Sequence, residues 1–402
     1  MQETFMAQMF INGERIDAAS GATMEVCNPA TGELVDRVPM ADASDTRRAI
    51  EAAGAAFPIW SKTPAHQRAQ ILMHASTHVR ERLDEVARLL TSEQGKPIRD
   101  AKIETKRFAD NIEIYAGLIA SGAPSGKHVA LPSQKAMGLV VRRPIGVVGA
   151  IIPWNFPLTL MANKIAPAMA VGNSVVVKPA STTPLASLRL AELMHAGGLP
   201  AGVLNVVTGP GSVVGEEIIR HPLVRKIGFT GQTSTGKQVA RSAADELKHV
   251  TLELGGSDAA IVCDDADLDL SARSVAIGRF FNAGQACLAV KRVYVFDSVA
   301  DAFVDKIAAR AQRLKLGSGT DASAQMGPLH TAKQRDELES QLADAIDRGG
   351  KVVAGGRRPA GEQFSHGFYF EPTLVVDVPE GARVWTEETF GPLLPIMRVR
   401  DL

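Results

Sequence analysis

Between residues 64 and 90 the apolar positions Ala65, Ala69, Leu72, Ala75, Val79, Leu83 and Val86 recur at steps of three and four. That spacing lines one face of a helix and leaves the other face polar. The same periodicity predicts helices over 45–57, 64–90 and 98–119. Gly122-Ala-Pro-Ser-Gly126 breaks the pattern. Residues 127–143 then alternate loosely, as an extended hairpin would.

At Gly146 the texture changes. Val147-Val-Gly-Ala-Ile-Ile152 is a continuous apolar run, the mark of a strand buried on both faces. Further strands are predicted at 174–177, 203–207 and 225–229. Helices are predicted between and after them: one running to Met169, then 187–196, 214–220 and 235–246. Strand and helix alternate, which predicts a parallel sheet with right-handed crossovers. Such sheets bind ligands at the carboxyl ends of their strands. Trp154, Asn155, Lys178, Gly209, Gly211, Thr230 and Gly231 all fall just after predicted strands. After Glu253 a second α/β block follows: strand 260–263, helix 268–281, a turn at Cys287, strand 293–296 and helix 299–314. No closing helix or strand is predicted in the ten residues after Pro392.

Composition narrows the function classes. The 402 residues are enough for two or three domains, and 45% are hydrophobic, enough to bury a full core. Lys+Arg and Asp+Glu number 44 each. A net charge of zero argues against nucleic acid as a partner. Cys27, Cys263 and Cys287 are too few and scattered for a disulfide framework. Cys263 is expected in a buried strand, and both it and Cys27 are expected to be structural. The first ten residues lack an apolar core of the secretory kind, and no apolar run is long enough to span a membrane. These features together predict a cytoplasmic protein with no membrane partner.

Cys287 carries the clearest chemical signal. It closes Phe280-Phe-Asn-Ala-Gly-Gln-Ala-Cys287, a segment that core packing does not require. A cysteine is a nucleophile only as a thiolate and needs a polar setting. Asn155, Glu253 and Glu388 are the candidate helpers. Two phosphate-binding patterns compete for notice. Gly209-Pro-Gly-Ser-Val-Val-Gly215 has one residue too many for a dinucleotide fingerprint. Gly231-Gln-Thr-Ser-Thr-Gly-Lys237 matches the start of a P-loop, but Gln238 stands where a magnesium-binding hydroxyl is needed. A P-loop nucleotide hydrolase is therefore the alternative of another class. His74 and His78 share a helical face, but no third zinc ligand accompanies them, and no metal is expected.

Taken jointly, the motifs resemble the aldehyde dehydrogenase superfamily over essentially the whole chain. They are Asn28-Pro-Ala-Thr-Gly32, Pro153-Trp-Asn-Phe-Pro157, Val177-Lys-Pro-Ala-Ser181, Phe229-Thr-Gly231, Glu253-Leu-Gly-Gly256, Gly284-Gln-Ala-Cys287 and Glu388-Thr-Phe-Gly-Pro392. Their texture is closest to the succinate-semialdehyde dehydrogenase branch. The resemblance implies a Rossmann-like cofactor domain in two parts, 1–124 and 141–253. A bridging hairpin at 125–140 would serve oligomerisation, and 254–402 would form the catalytic domain, incomplete at its C-terminus. It implies NAD or NADP as cofactor and a homo-oligomer at full length. Cys287 would attack the aldehyde, and Asn155 with the Cys287 main-chain N–H would hold the oxyanion. Glu253 would activate the hydrolytic water. Pro153, Trp154, Lys178, Ser181, Gly211, Thr230, Gly231, Gln232, Leu254, Glu388 and Phe390 would contact the cofactor. A retained fold without catalysis is a further alternative.

Two positions depart from the semialdehyde branch, which grips its substrate carboxylate with two arginines. Here those places hold Asn163, beside Lys164, and Phe281. A buried carboxylate without a cationic partner is costly, so an uncharged aldehyde is expected, with succinate semialdehyde the alternative. A third position concerns the cofactor. NAD-preferring members often place a glutamate where this chain has Ser181, which predicts use of NADP.

Overall fold

The computed structural model describes residues 7–124, 126–132 and 135–400. The chain divides into two compact units, 1–26, 36–89 and 102–253 in the first, and 27–35, 90–101 and 254–402 in the second.

The first unit is built on the apolar runs that the pattern singles out. Val147–Ile151, Ser174–Lys178, Leu204–Val206, Val224–Thr230 and His249–Glu253 form a parallel array within a seven-stranded sheet. Two short strands, Met9–Ile11 and Glu14–Ile16, extend it antiparallel at one edge. The sheet is therefore mixed rather than purely parallel. Three-residue strands carry too little periodicity to be seen in sequence. Val175, Val176, Val177, Val206 and Ile227 have no exposed surface, as expected of strands covered by helices on both faces. Trp60, in the helix Ala43–Lys62, is buried too, and its indole N–H donates to the Met169 carbonyl at 2.9 Å.

Several boundaries move. The stripe over 64–90 is two helices, Ala65–Glu81 and Leu83–Gln94, separated at Arg82. Both keep the apolar face in register, so spacing alone could not reveal the break. His74 and His78 are exposed on the first of them. The helix expected over 214–220 begins earlier, as a π-turn at Gly211–Gly215 that leads into Glu216–Arg220. The loosely alternating segment does pair, as Gly126–Val129 against Gly138–Val141.

The second unit has its own five-stranded sheet. Its order is Asp258–Val262, Val290–Phe296, Leu393–Val399, Thr373–Val376, Lys351–Ala354, parallel except for the last pair. Val293, Val295, Phe303, Ile307, Leu374 and Leu394 form its dry centre. Two expectations fail here. Leu393–Val399 is a strand, and it lies in the middle of this sheet. The chain after Pro392 therefore does supply a closing strand. Asp258–Val262 is an edge strand with mostly exposed side chains, and Cys263 follows it, half-exposed, rather than sitting in a buried strand. All three cysteines are free, and Cys27 is exposed.

Candidate active site

In the first unit the sheet register brings the expected cofactor residues to one edge. Ile151 pairs with both Lys178 and Phe229, and Thr230 pairs with Glu253. Pro153, Trp154, Lys178, Thr230 and Glu253 therefore lie at the carboxyl ends of adjacent strands, the ligand-binding end of such a sheet. Asn155 is buried just before the helix Pro157–Ala170. That helix has Pro157 in its first turn and no capping side chain at Phe156. Its first donors are satisfied from a distance. The buried Glu104 carboxylate accepts the N–H groups of Leu158 and Thr159 at 2.9 and 3.2 Å. Glu104 lies in a helix far back in sequence, and no local signal marks it.

Lys178 is buried, and burial pushes its ammonium down to about 8. Its Nζ donates to the Pro179 carbonyl at 2.8 Å. Its stem runs beside Gly211 and Gly215, whose missing side chains leave the approach open. Ser181 donates its hydroxyl to the Gly209 carbonyl at 3.0 Å. Gly231 cannot be larger, since a Cβ there would meet the Phe229 ring at 2.6 Å. Gln232 caps the helix Thr233–Ala244 without a side-chain bond, which leaves first-turn N–H groups for an anion.

Asn163 and its neighbour Lys164 do not form a carboxylate grip. Asn163 is exposed, and its side-chain oxygen accepts from Asn111 Nδ2 at 2.9 Å. Lys164 is turned to Thr230, whose hydroxyl it reaches at 2.5 Å. Burial pushes its ammonium down to about 8, against an opposing pull from Glu253.

In the second unit Cys287 sits half-buried between the helix Leu268–Phe280 and the strand Val290–Phe296. The turn before it is unusual. Asn282, Ala283 and Gly284 have φ of 51, 53 and 73°. Such backbone is rare for non-glycine residues and persists only when its surroundings hold it. Gln285 does part of the holding. Its amide donates to the Asn282 carbonyl at 3.0 Å, and its oxygen accepts the His330 N–H at 2.8 Å. Gly284 packs so closely that a Cβ would lie 2.3 Å from the Gly391 carbonyl. The Gly284–Cys287 motif and the Glu388–Pro392 motif therefore meet within this unit. Arg279, fully buried, donates to the Thr389 carbonyl at 3.1 Å and also to that of Gly391.

Glu388 shows a feature that fits a sugar. Its Oε1 is buried and pairs with the Lys291 ammonium at 3.2 Å, and since a carboxylate offers about four lone-pair sites it retains acceptor capacity for a hydroxyl donor. Gly255, next to Leu254, makes room for the carboxylate, because a Cβ there would lie 1.9 Å from Oε2. Phe281 lines a cavity of about 500 Å³ in this unit together with Arg99, Arg273, Arg313 and Gln325.

Comparison with known proteins covers nearly the whole chain. Residues 16–402 match the aldehyde dehydrogenase family. Glutarate-semialdehyde dehydrogenase of Pseudomonas putida is 43% identical over 99% of this chain and 82% of its own length. The NADP(+)-dependent succinate-semialdehyde dehydrogenase of Escherichia coli is 44% identical over 99% of this chain and 81% of its own. A crystal structure of an E. coli NADP-dependent enzyme superposes with a TM-score of 0.96 at 43% identity, covering 99% of this chain and 82% of that one. The chain belongs to the aldehyde dehydrogenase family.

Proposed function

We propose that the chain oxidises an aldehyde to its carboxylic acid with NAD or NADP, through a covalent intermediate on Cys287. The observation that carries this is the free, half-buried Cys287 thiol on a left-handed turn braced against the Glu388–Pro392 segment. The Cys287 thiolate adds to the aldehyde carbon and forms a thiohemiacetal. The Asn155 amide and the Cys287 main-chain N–H are the donors assigned to its oxyanion. When bound, the nicotinamide supplies the hydride acceptor. Glu253 takes a proton from the water that hydrolyses the resulting thioester, and the acid leaves.

The cofactor is assigned to Pro153, Trp154, Lys178, Ser181, Gly211, Thr230, Gly231, Gln232 and Leu254, with Glu388 and Phe390 at its nicotinamide end. Lys178 and the open start of Thr233–Ala244 suit its anionic groups. The Glu388 carboxylate suits a ribose hydroxyl. Residues 1–124 and 141–253 serve as the cofactor domain, apart from 27–35 and 90–101, which pack in the second unit with the catalytic domain, 254–402. The hairpin at 125–140 serves oligomerisation, supported by the exposed apolar side chains of Leu131, Met137 and Leu139. Among the described residues no helix is long and apolar enough to cross a membrane, in keeping with a cytoplasmic enzyme that acts on small aldehydes.

For the substrate, Phe281, the Asn111–Asn163 pair and the engagement of Lys164 by Thr230 favour an uncharged aldehyde. One observation favours a second reading, a semialdehyde. The cavity beside Phe281 is cationic, and among the described residues Arg273 and Arg313 make no ion pair there. Relatives named for glutarate and succinate semialdehydes point the same way. The test is kcat/KM for an uncharged aldehyde against succinate semialdehyde. A lost carboxylate pair is worth about 1.5–3 kcal/mol, or tenfold to a hundredfold. Preference for the uncharged aldehyde supports the first reading. Preference for the semialdehyde, lost in Arg273→Ala or Arg313→Ala, establishes the second.

A further inference from the structure

Lys291 has no exposed surface, although it lies only four residues beyond the thiol. A buried ammonium is costly unless paired and hydrogen-bonded. Lys291 spends its charge on two groups. Its Nζ donates to the main-chain carbonyl of Cys287 and lies 3.2 Å from Oε1 of Glu388. One side chain thus spans the nucleophile turn and the residue assigned to the nicotinamide ribose. Arg279 braces the same segment one and three residues further on, through the Thr389 and Gly391 carbonyls. Burial pushes the Arg279 guanidinium down to about 9, while the Glu388 charge opposes that shift.

We infer that Lys291 is a positioning residue that sets the Cys287 turn and the Glu388 carboxylate in one register. The inference rests on the roles proposed above for Cys287 and Glu388. A cation that merely neutralised Glu388 would leave the thiol indifferent to it. A positioning link makes each end respond to the other.

Two kinds of measurement separate these cases. The first is a double-mutant cycle of Lys291→Met and Glu388→Gln, read as kcat, as KM for aldehyde, and as the isotope effect with 1-deuterated aldehyde. Misplacement of reacting groups by about 1 Å costs up to about a hundredfold. Lys291→Met should lower kcat about tenfold to a hundredfold and expose a primary isotope effect. KM for aldehyde should stay within about threefold. The double variant should be no more than about threefold worse than Glu388→Gln alone, because linked residues are not additive. Unchanged kcat in Lys291→Met, or losses that multiply, would overturn the link.

The second measurement keeps Lys291 in place and serves even if Lys291→Met does not fold. It is the rate of Cys287 alkylation by iodoacetamide in cofactor-free Glu388→Gln. The link predicts a change of at least about threefold, and an unchanged rate rules it out. Cys287→Ala, assayed in parallel, isolates the parent reading. Normal turnover there removes the nucleophile itself. An inactive Cys287→Ala beside a wild-type-like Lys291→Met removes Lys291 alone.

Discussion

At the scale of single residues, the proposed cofactor site turns on Lys178 and Ser181. Ser181 already donates its proton to Gly209, so it can meet a 2′-phosphate only by exchanging that bond. Its value for NADP is then chiefly that it is small and neutral. Ser181→Glu should weaken NADP far more than NAD in steady-state KM, because a carboxylate repels a phosphate and accepts from a ribose hydroxyl. Equal effects on both cofactors would show that this position does not read the 2′ group. Lys178 adds a pH dependence. Its charged form pairs with phosphate, and burial brings its titration down to about 8. NADP affinity should therefore hold below pH 8 and fall above it, by up to about tenfold per pH unit. Titration of Kd from pH 7 to 9.5 checks this, and Lys178→Met should flatten the profile.

Elements carry the geometry that residues cannot carry alone. The helix Pro157–Ala170 begins without a local cap, and Glu104 replaces one by accepting two of its N–H groups. Glu104→Ala should cost about 1–2 kcal/mol in denaturant unfolding, the usual worth of a lost cap. It should also lower kcat, because Asn155 precedes that helix directly. The nucleophile turn is stricter. Gly284 combines positive φ with a close approach to Gly391, so Gly284→Ala should destabilise the fold by at least about 2 kcal/mol. A melting curve like the wild type's would contradict that packing. Much of this was legible beforehand. Buried strands such as Ser174–Lys178 announce themselves by continuous apolar runs, and the residues after them fall where ligands bind. Lys291, Arg279 and Glu104 could not be read in the same way. Their types suit a solvated surface, and only distant carbonyls, carboxylates and helix starts make their burial tolerable. Leu393–Val399 was missed because Pro395 interrupts a short run, and proline normally argues against a central strand.

For the whole molecule, the residues assigned to the proposed chemistry come from both units. Asn155 and Glu253 belong to the first, and Cys287 and Glu388 to the second. The account stands or falls on whether these four act in one reaction. Rapid mixing of Glu253→Gln with aldehyde and cofactor, followed by mass spectrometry of the quenched protein, tests that directly. Loss of the base should spare acylation and block hydrolysis. The account predicts a burst of about one equivalent of reduced cofactor per chain, then a stall, with the acyl group on Cys287. Continued linear turnover without a burst, or an acyl group on any other residue, would contradict it.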